Sequence, residues 1–109
     1  MNKAILIHEK LGSIEEIDLD IAPEKNQIYK LLGSRATFIG QWPGIDVCIM
    51  KAEKSRLSKN GNELPRPFSS EEVYGKILLV RMDENSEPRD FTLAEYESFR
   101  NGRNKRVAV

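Results

Sequence analysis

The first twenty residues contain two apolar segments with different patterns. Residues 4–7 form a short, continuous apolar run, which is typical of a strand buried on both faces. Residues 16–21 alternate strictly between acidic and apolar side chains, which is typical of a strand with one face in water. Turn-forming residues 10–13 separate the two segments. The pattern therefore predicts a β-hairpin with one acidic face.

A helix and a second hairpin are predicted next. Pro23 suits a first helical turn, Gly33 suits a helix end, and the apolar residues between them share one helical face. We therefore expect a ten-residue helix over residues 23–32. Residues 36–40 and 45–50 are rich in β-forming side chains and are joined by Gln41-Trp42-Pro43-Gly44, a tight-turn sequence.

Residues 51–70 show no periodicity and predict a long, irregular loop, a feature that is often functional or mobile in a small domain. Ser69 and Glu72 have capping-box spacing for a helical turn that Gly75 would close. Residues 76–82 predict a buried strand with charged ends.

The final predicted element is a helix that begins at a second capping box. Thr92 and Glu95 have the required spacing, and Phe91 and Tyr96 are placed to form a hydrophobic staple. We expect this helix to end near Arg100.

These elements predict a single α+β domain over residues 1–102, followed by a flexible basic tail over residues 103–109. Its architecture is a small single-layer sheet of about five strands, mixed or antiparallel, with two helices packed on one face. The side chains expected to be buried are Ile5, Ile7, Ile17, Leu19, Leu31, Phe38, Val47, Ile49, Ile77, Leu79, Tyr96 and Phe99.

Composition narrows the class of protein. The 109 residues are 39% hydrophobic and carry 17 basic and 17 acidic side chains, which suits one folded domain rather than a disordered chain. The longest apolar runs are too short to span a membrane, and the single cysteine excludes an internal disulfide. We therefore expect a soluble cytoplasmic protein without a membrane association.

The residues that could carry catalysis are few. Cys48 lies in a strand pattern, which favours a buried, inert thiol over a nucleophile. His8 has no obvious catalytic neighbour, which favours a structural role. The paired acids Glu15 and Glu16 are adjacent and point apart on a strand. No phosphate-binding glycine motif is present, so we expect no cofactor, no metal site and no catalytic residue.

A binding site is easier to place, because residues 51–66 carry a local excess of positive charge. Trp42 is either a lid on the core or an exposed stacking platform beside this loop. The candidate residues for binding a partner or ligand are Trp42, Lys54, Arg56, Lys59 and Arg66. Arginine can donate two hydrogen bonds to a phosphate or carboxylate, so the two arginines are the strongest candidates. Neither helix carries a basic stripe, which argues against specific binding of duplex nucleic acid.

The layout also resembles a family of small phage and large-virus proteins, domain of unknown function 3846. The resemblance is carried by the strand over residues 3–7, the acidic strand over 15–19, the helix before Gly33, Asn62-Glu63-Leu64-Pro65, the strand over 75–82, and Asp90-Phe91-Thr92-Leu93. It implies a viral or mobile-element origin, with the host cytoplasm as the location, and no established catalysis.

Three functions remain open from the sequence. The first is a non-enzymatic accessory protein that binds a host macromolecule, such as a host protein, in host takeover or defence evasion. The second is a protein that sequesters a small anionic ligand such as a nucleotide. The third is an enzyme whose site forms between subunits, and homo-oligomerisation is also left open.

Overall fold

The computed structural model describes residues 1–53 and 57–104. The strands are β1 (Asn2–Ile7), β2 (Ile14–Leu19), β3 (Ala36–Trp42), β4 (Val47–Ala52), β5 (Ile77–Met82) and β6 (Pro88–Arg89). The helices are α1 (Gln27–Leu32) and α2 (Leu93–Asn104), and single 3₁₀ turns occupy Pro23–Lys25 and Pro43–Ile45.

The strands form one antiparallel sheet in the order β2-β1-β5-β4-β3, and β6 pairs with the end of β5. Both predicted hairpins are present, as β1–β2 and β3–β4. Strand β5 joins them, since Leu79 lies opposite Ile5 on one side and opposite Ile49 on the other. The predicted α+β class with an antiparallel sheet is confirmed.

The two helices cover opposite faces of the sheet, whereas both were expected on one face. On one face, Ile5, Ile49 and Leu79 pack against Phe91 and Tyr96, at the start of α2. On the other, Leu6, Met50 and Leu78 pack in a second cluster with Leu32 of α1. The reason is the sequence of the central strands, which is apolar at successive positions and therefore needs a cover on both sides.

Most of the expected core is buried. Eight of the predicted side chains are buried, namely Ile5, Ile7, Leu19, Val47, Ile49, Ile77, Leu79 and Tyr96. Ile17, Leu31 and Phe99 are partly buried and pack against the two clusters. Phe38 is the exception at 66% exposed, because β3 is the last strand of the sheet.

The predicted helix over residues 23–32 is interrupted at Asn26. This residue has a left-handed backbone, with φ of 50°, and it ends the 3₁₀ turn at Lys25 before α1 begins at Gln27. Asparagine tolerates this conformation better than most residues, which explains why the break falls there. Gly33 ends α1 as predicted, with φ of 76° and its N–H donating to the carbonyl of Tyr29.

No helical turn follows Ser69, so the first predicted capping box is wrong. Glu72 instead forms an ion pair with Lys59, with 3.3 Å between Nζ and Oε1, and Tyr74 forms a β-bridge with Lys59. Gly75, with φ of 90°, donates its N–H to the carbonyl of Ser58 at 2.8 Å. The tertiary bridge to residues 58 and 59 therefore overrides the local helix signal.

The second capping box is confirmed. The Glu95 N–H donates to Thr92 Oγ1 at 3.1 Å, and the Thr92 N–H donates to Glu95 Oε1 at 3.1 Å. The rings of Phe91 and Tyr96 form the staple in an edge-on contact, with centroids 6.1 Å apart. The helix runs on through Gly102 to Asn104, beyond the predicted end at Arg100. Residues 105–109 of the predicted tail lie outside the described residues.

We expect Thr92→Ala to lower the free energy of unfolding by about 0.5–2 kcal/mol, because it removes the side-chain acceptor for the Glu95 N–H. The measurement is equilibrium unfolding in urea, with the midpoint reduced and the slope unchanged. Thr92→Ser keeps the hydroxyl and should stay close to the parent. Equal midpoints for Thr92→Ala and the parent would show that the cap does not stabilise α2.

Candidate functional site

Strand β3 is an outer edge of the sheet, and no charged residue lies within it. Ala36 and Gln41 are exposed, and Phe38 exposes most of its ring. An uncharged edge strand with an exposed aromatic side chain is a surface on which another strand can pair. We call residues 36–41 the β3 edge.

The backbone geometry shows which groups of the β3 edge are available. The Glu53 N–H donates to the carbonyl of Arg35 at 2.8 Å, so these opposed residues form a hydrogen-bonded pair just before β3. Hydrogen-bonded and non-hydrogen-bonded pairs alternate along an antiparallel ladder. Ala36 and Phe38 therefore direct their N–H and C=O groups away from β4. Within residues 1–53 and 57–104, no other segment pairs with those groups.

A β-bulge fixes the position of Phe38. The register with β4 shifts between Phe38 and Gly40, which places Phe38 opposite Met50 and Gly40 opposite Ile49. Gly40 consequently faces the α2 side, where the ring of Phe68 fills its missing side-chain position. A Cβ built on Gly40 would collide with Cζ of the Phe68 ring. The bulge leaves Phe38 on the α1 side, outside both apolar clusters.

The opposite edge of the sheet, β2, is protected by charge. Lys3 Nζ lies 2.6 Å from Asp18 Oδ1, and the ring of His8 is hydrogen-bonded to the Glu15 carboxylate. Glu16 Oε1 accepts a hydrogen bond from the backbone N–H at the start of α2, at 2.9 Å. Charged side chains along an edge oppose the docking of a further strand. The two edges of the sheet are therefore unequal, and only β3 is free of charge.

Trp42 lies in the core, so the interpretation as a lid is confirmed and the exposed platform is wrong. Its side chain is fully buried, and its ring centroid lies 5.0 Å from that of Phe99 and 6.1 Å from that of Phe68. The indole Nε1–H donates to the carbonyl of Arg66 at 3.1 Å. A ring enclosed in this way presents no face to a ligand.

Two of the basic candidates, Lys59 and Arg66, lie within the described residues. Lys59 forms an exposed ion pair with Glu72. Arg66 is exposed, and its backbone carbonyl accepts the hydrogen bond from the Trp42 indole. Lys54 and Arg56 lie outside the described residues. Binding of an anionic partner by these four residues stays a prediction.

Part of the loop predicted over residues 51–70 is anchored in the protein. Residues 51 and 52 instead extend β4, and Ala52 is buried there. Asn60 is 6% exposed, and Leu64 and Pro65 are buried. Asn60 Nδ2 donates to the carbonyl of Gly75 at 2.9 Å and to that of Ile7 at 3.4 Å. Asn62 adds to this anchor, since its Nδ2 donates to the carbonyls of His8 and Lys10 at 2.9 and 3.0 Å. Hydrogen bonds from these two asparagines thus hold the segment against the end of β1.

The reactive side chains are in structural positions. Burial raises the pKa of the Cys48 thiol, which is half-buried rather than buried as expected. Burial also raises the pKa of Tyr96 to about 12. Glu15 and Glu16 diverge as expected, towards His8 and α2 respectively. The described residues contain no group of three or more His, Cys, Asp or Glu side chains placed to hold a metal ion.

A search of the described helices finds none that is both long and apolar enough to cross a membrane. No curated protein and no solved structure matches the chain. A family model matches residues 5–99, and it is not the domain of unknown function 3846. The resemblance to that phage and large-virus family is therefore wrong, and nothing supports a phage origin. The chain belongs to the family described as "Family of unknown function (DUF5880)".

Proposed function

We propose that this is a non-enzymatic binding protein that takes up an extended segment of another protein along the β3 edge. One observation carries the proposal: β3 presents outward backbone groups at Ala36 and Phe38 beside an exposed phenylalanine, with no charge along the strand. We also propose that it acts in the cytoplasm, as the sequence led us to expect.

The backbone and the aromatic ring would contribute differently to binding. Hydrogen bonds from the outward N–H and C=O groups supply affinity that depends little on the partner's sequence. Each such bond adds about 0.5–1.5 kcal/mol net. Burial of the exposed part of the Phe38 ring adds up to about 2 kcal/mol and selects an apolar side chain at the facing position.

The chemistry of β3 also defines the partner. Its side chains from Ala36 to Trp42 are apolar or neutral, so a charged residue of the partner beside them would lose water without gaining an ion pair. We therefore expect an extended, largely uncharged segment with an apolar residue next to Phe38. The β2 edge, with three acidic side chains, does not meet this requirement.

The test is a selection of displayed peptides of about ten residues against the parent protein, followed by affinity measurements on variants of the β3 edge. Phe38→Lys introduces a charge beside the docked strand. Ala36→Pro removes one outward N–H while leaving the ladder to β4 intact. We expect both variants to weaken binding of the selected peptides at least tenfold.

The control is Leu11→Lys, which changes an exposed apolar residue in the turn between β1 and β2. It should bind the peptides with the parent affinity. Far-UV circular dichroism establishes that each variant is folded. Peptides that keep their affinity for both β3 variants, or a selection that enriches no peptide with an alternating apolar pattern, would contradict the proposal.

A further inference from the structure

A second feature, separate from the β3 edge, lies on the α2 face of the sheet. An open groove of about 450 Å³ runs beside α2, with apolar walls from Ile45, Phe91, Ala94 and Phe99. Its polar lining includes the guanidinium of Arg81. A mostly apolar lining with a few polar groups is common to small-molecule sites, although this groove is open rather than enclosed.

Arg81 is held rigidly in this groove. Its Nε donates to the carbonyl of Ile45 at 3.0 Å, and Nη1 donates to the carbonyl of Asp90 at 3.0 Å and to Glu95 Oε2 at 2.7 Å. The guanidinium lies over the ring of Phe91, with 4.9 Å between Cζ and the ring centroid. These contacts fix the group before any ligand arrives, which lowers the entropic cost of binding to it.

The structural contacts leave one nitrogen unused. Nε and both hydrogens of Nη1 have acceptors, whereas Nη2 has none among the residues that the structure describes. Arg81 lines the groove, and its side chain is 22% exposed. The three hydrogen bonds from Nε and Nη1 hold the Arg81 side chain in place, and the two hydrogens on Nη2 take no part in them.

The charge of the site favours a neutral ligand. Glu95 compensates Arg81 directly, so the pair carries no net charge. A carboxylate or phosphate placed in the groove would approach Glu95 as well as Arg81 and would meet repulsion from it. An uncharged carbonyl oxygen can accept from Nη2 without that penalty.

We propose that the groove binds an uncharged carboxamide with an aromatic or branched apolar body, whose carbonyl oxygen accepts hydrogen bonds from Arg81 Nη2. The apolar body lies against Ile45 and Phe99, which line the groove and are only partly buried. The ligand's amide hydrogens face the exposed hydroxyl of Ser98, which also lines the groove. This site is independent of strand addition at β3.

The test is an NMR titration of ¹⁵N-labelled protein with three probes of one shape, namely benzamide, benzoate and benzylamine. We expect benzamide to give saturable shifts at the backbone amides of Ala94 and Ser98, with a Kd on the order of 1 mM for so small a molecule. Benzoate and benzylamine should bind at least fivefold more weakly. Equal or tighter binding of benzoate, or no saturable shift with benzamide, would overturn the proposal.

Two variants fill the groove without altering Arg81. Ala94→Trp and Ser98→Trp change exposed positions of α2, and either one should reduce the affinity for benzamide at least tenfold. Two positions are tested because the experiment needs only one of the two variants to fold. Asn101→Trp, at an exposed position of α2 outside the groove lining, is the matched control and should keep the parent affinity. Parent affinity in a folded groove-filling variant would also overturn the proposal.

Discussion

Trp42→Ala is expected to lower the free energy of unfolding by about 3–5 kcal/mol. The indole is fully buried against Phe68 and Phe99, and its removal leaves a cavity beside these rings. The measurement is equilibrium unfolding in urea followed by far-UV circular dichroism, since the substitution removes the only tryptophan as a fluorescent reporter.

The stability of a domain is about 5–15 kcal/mol, so a loss of this size removes a large part of it. Trp42→Phe is the accompanying variant. It keeps an aromatic ring in the core while losing the hydrogen bond to the carbonyl of Arg66, and it should be destabilised less than the alanine variant. A loss below about 1 kcal/mol for Trp42→Ala would mean that the ring is not part of the core.

Leu79→Ala is the second large effect, at about 2–5 kcal/mol. Leu79 is fully buried in β5, where it lies between Ile5 and Ile49 on the face that α2 covers. The measurement is again the urea midpoint at an unchanged slope.

Leu79→Met preserves most of the side-chain volume and should cost less than about 1.5 kcal/mol. Comparing the two variants separates the effect of lost side-chain volume from the effect of replacing Leu79 by any other residue. If the alanine and methionine variants are equally stable, β5 is not the packed centre of the sheet.

The sequence was sufficient for those elements whose signals are local. Both hairpins, β5 and the capping box of Thr92 and Glu95 follow from short segments, and each is present. Asn26 shows the limit of this approach. Its left-handed backbone interrupts a pattern that otherwise fits one helix, and no periodicity argument distinguishes the two outcomes.

Properties that depend on the sheet as a whole were not predictable in the same way. The pattern around Phe38 is that of a strand with an apolar side chain, and it does not say whether that strand is central or at the edge. The placement of α1 and α2 on opposite faces depends on the same strand order. In both cases the missing information was which strands are neighbours.

The candidate site illustrates the same difference. Charge and missing periodicity indicated residues 51–66, but they gave no sign that Asn60 is buried and bonded to β1. The β3 edge was missed because Phe38 was assigned to the core on hydrophobicity alone. The groove at Arg81 was missed because it brings together residues from β5, α2 and the turn after β3, which are far apart in the sequence.

The central position of β5 constrains the order of folding during synthesis. The hairpins β1–β2 and β3–β4 are complete once residue 52 has left the ribosome, yet they share no ladder with each other. Both must wait for residues 77–82, which pair with β1 and β4 at once. Until then each hairpin has an unpaired apolar strand, and closing contacts at such separations in the chain is slow. The nascent chain therefore passes through a stage in which β1 and β4 are exposed to aggregation or to chaperones.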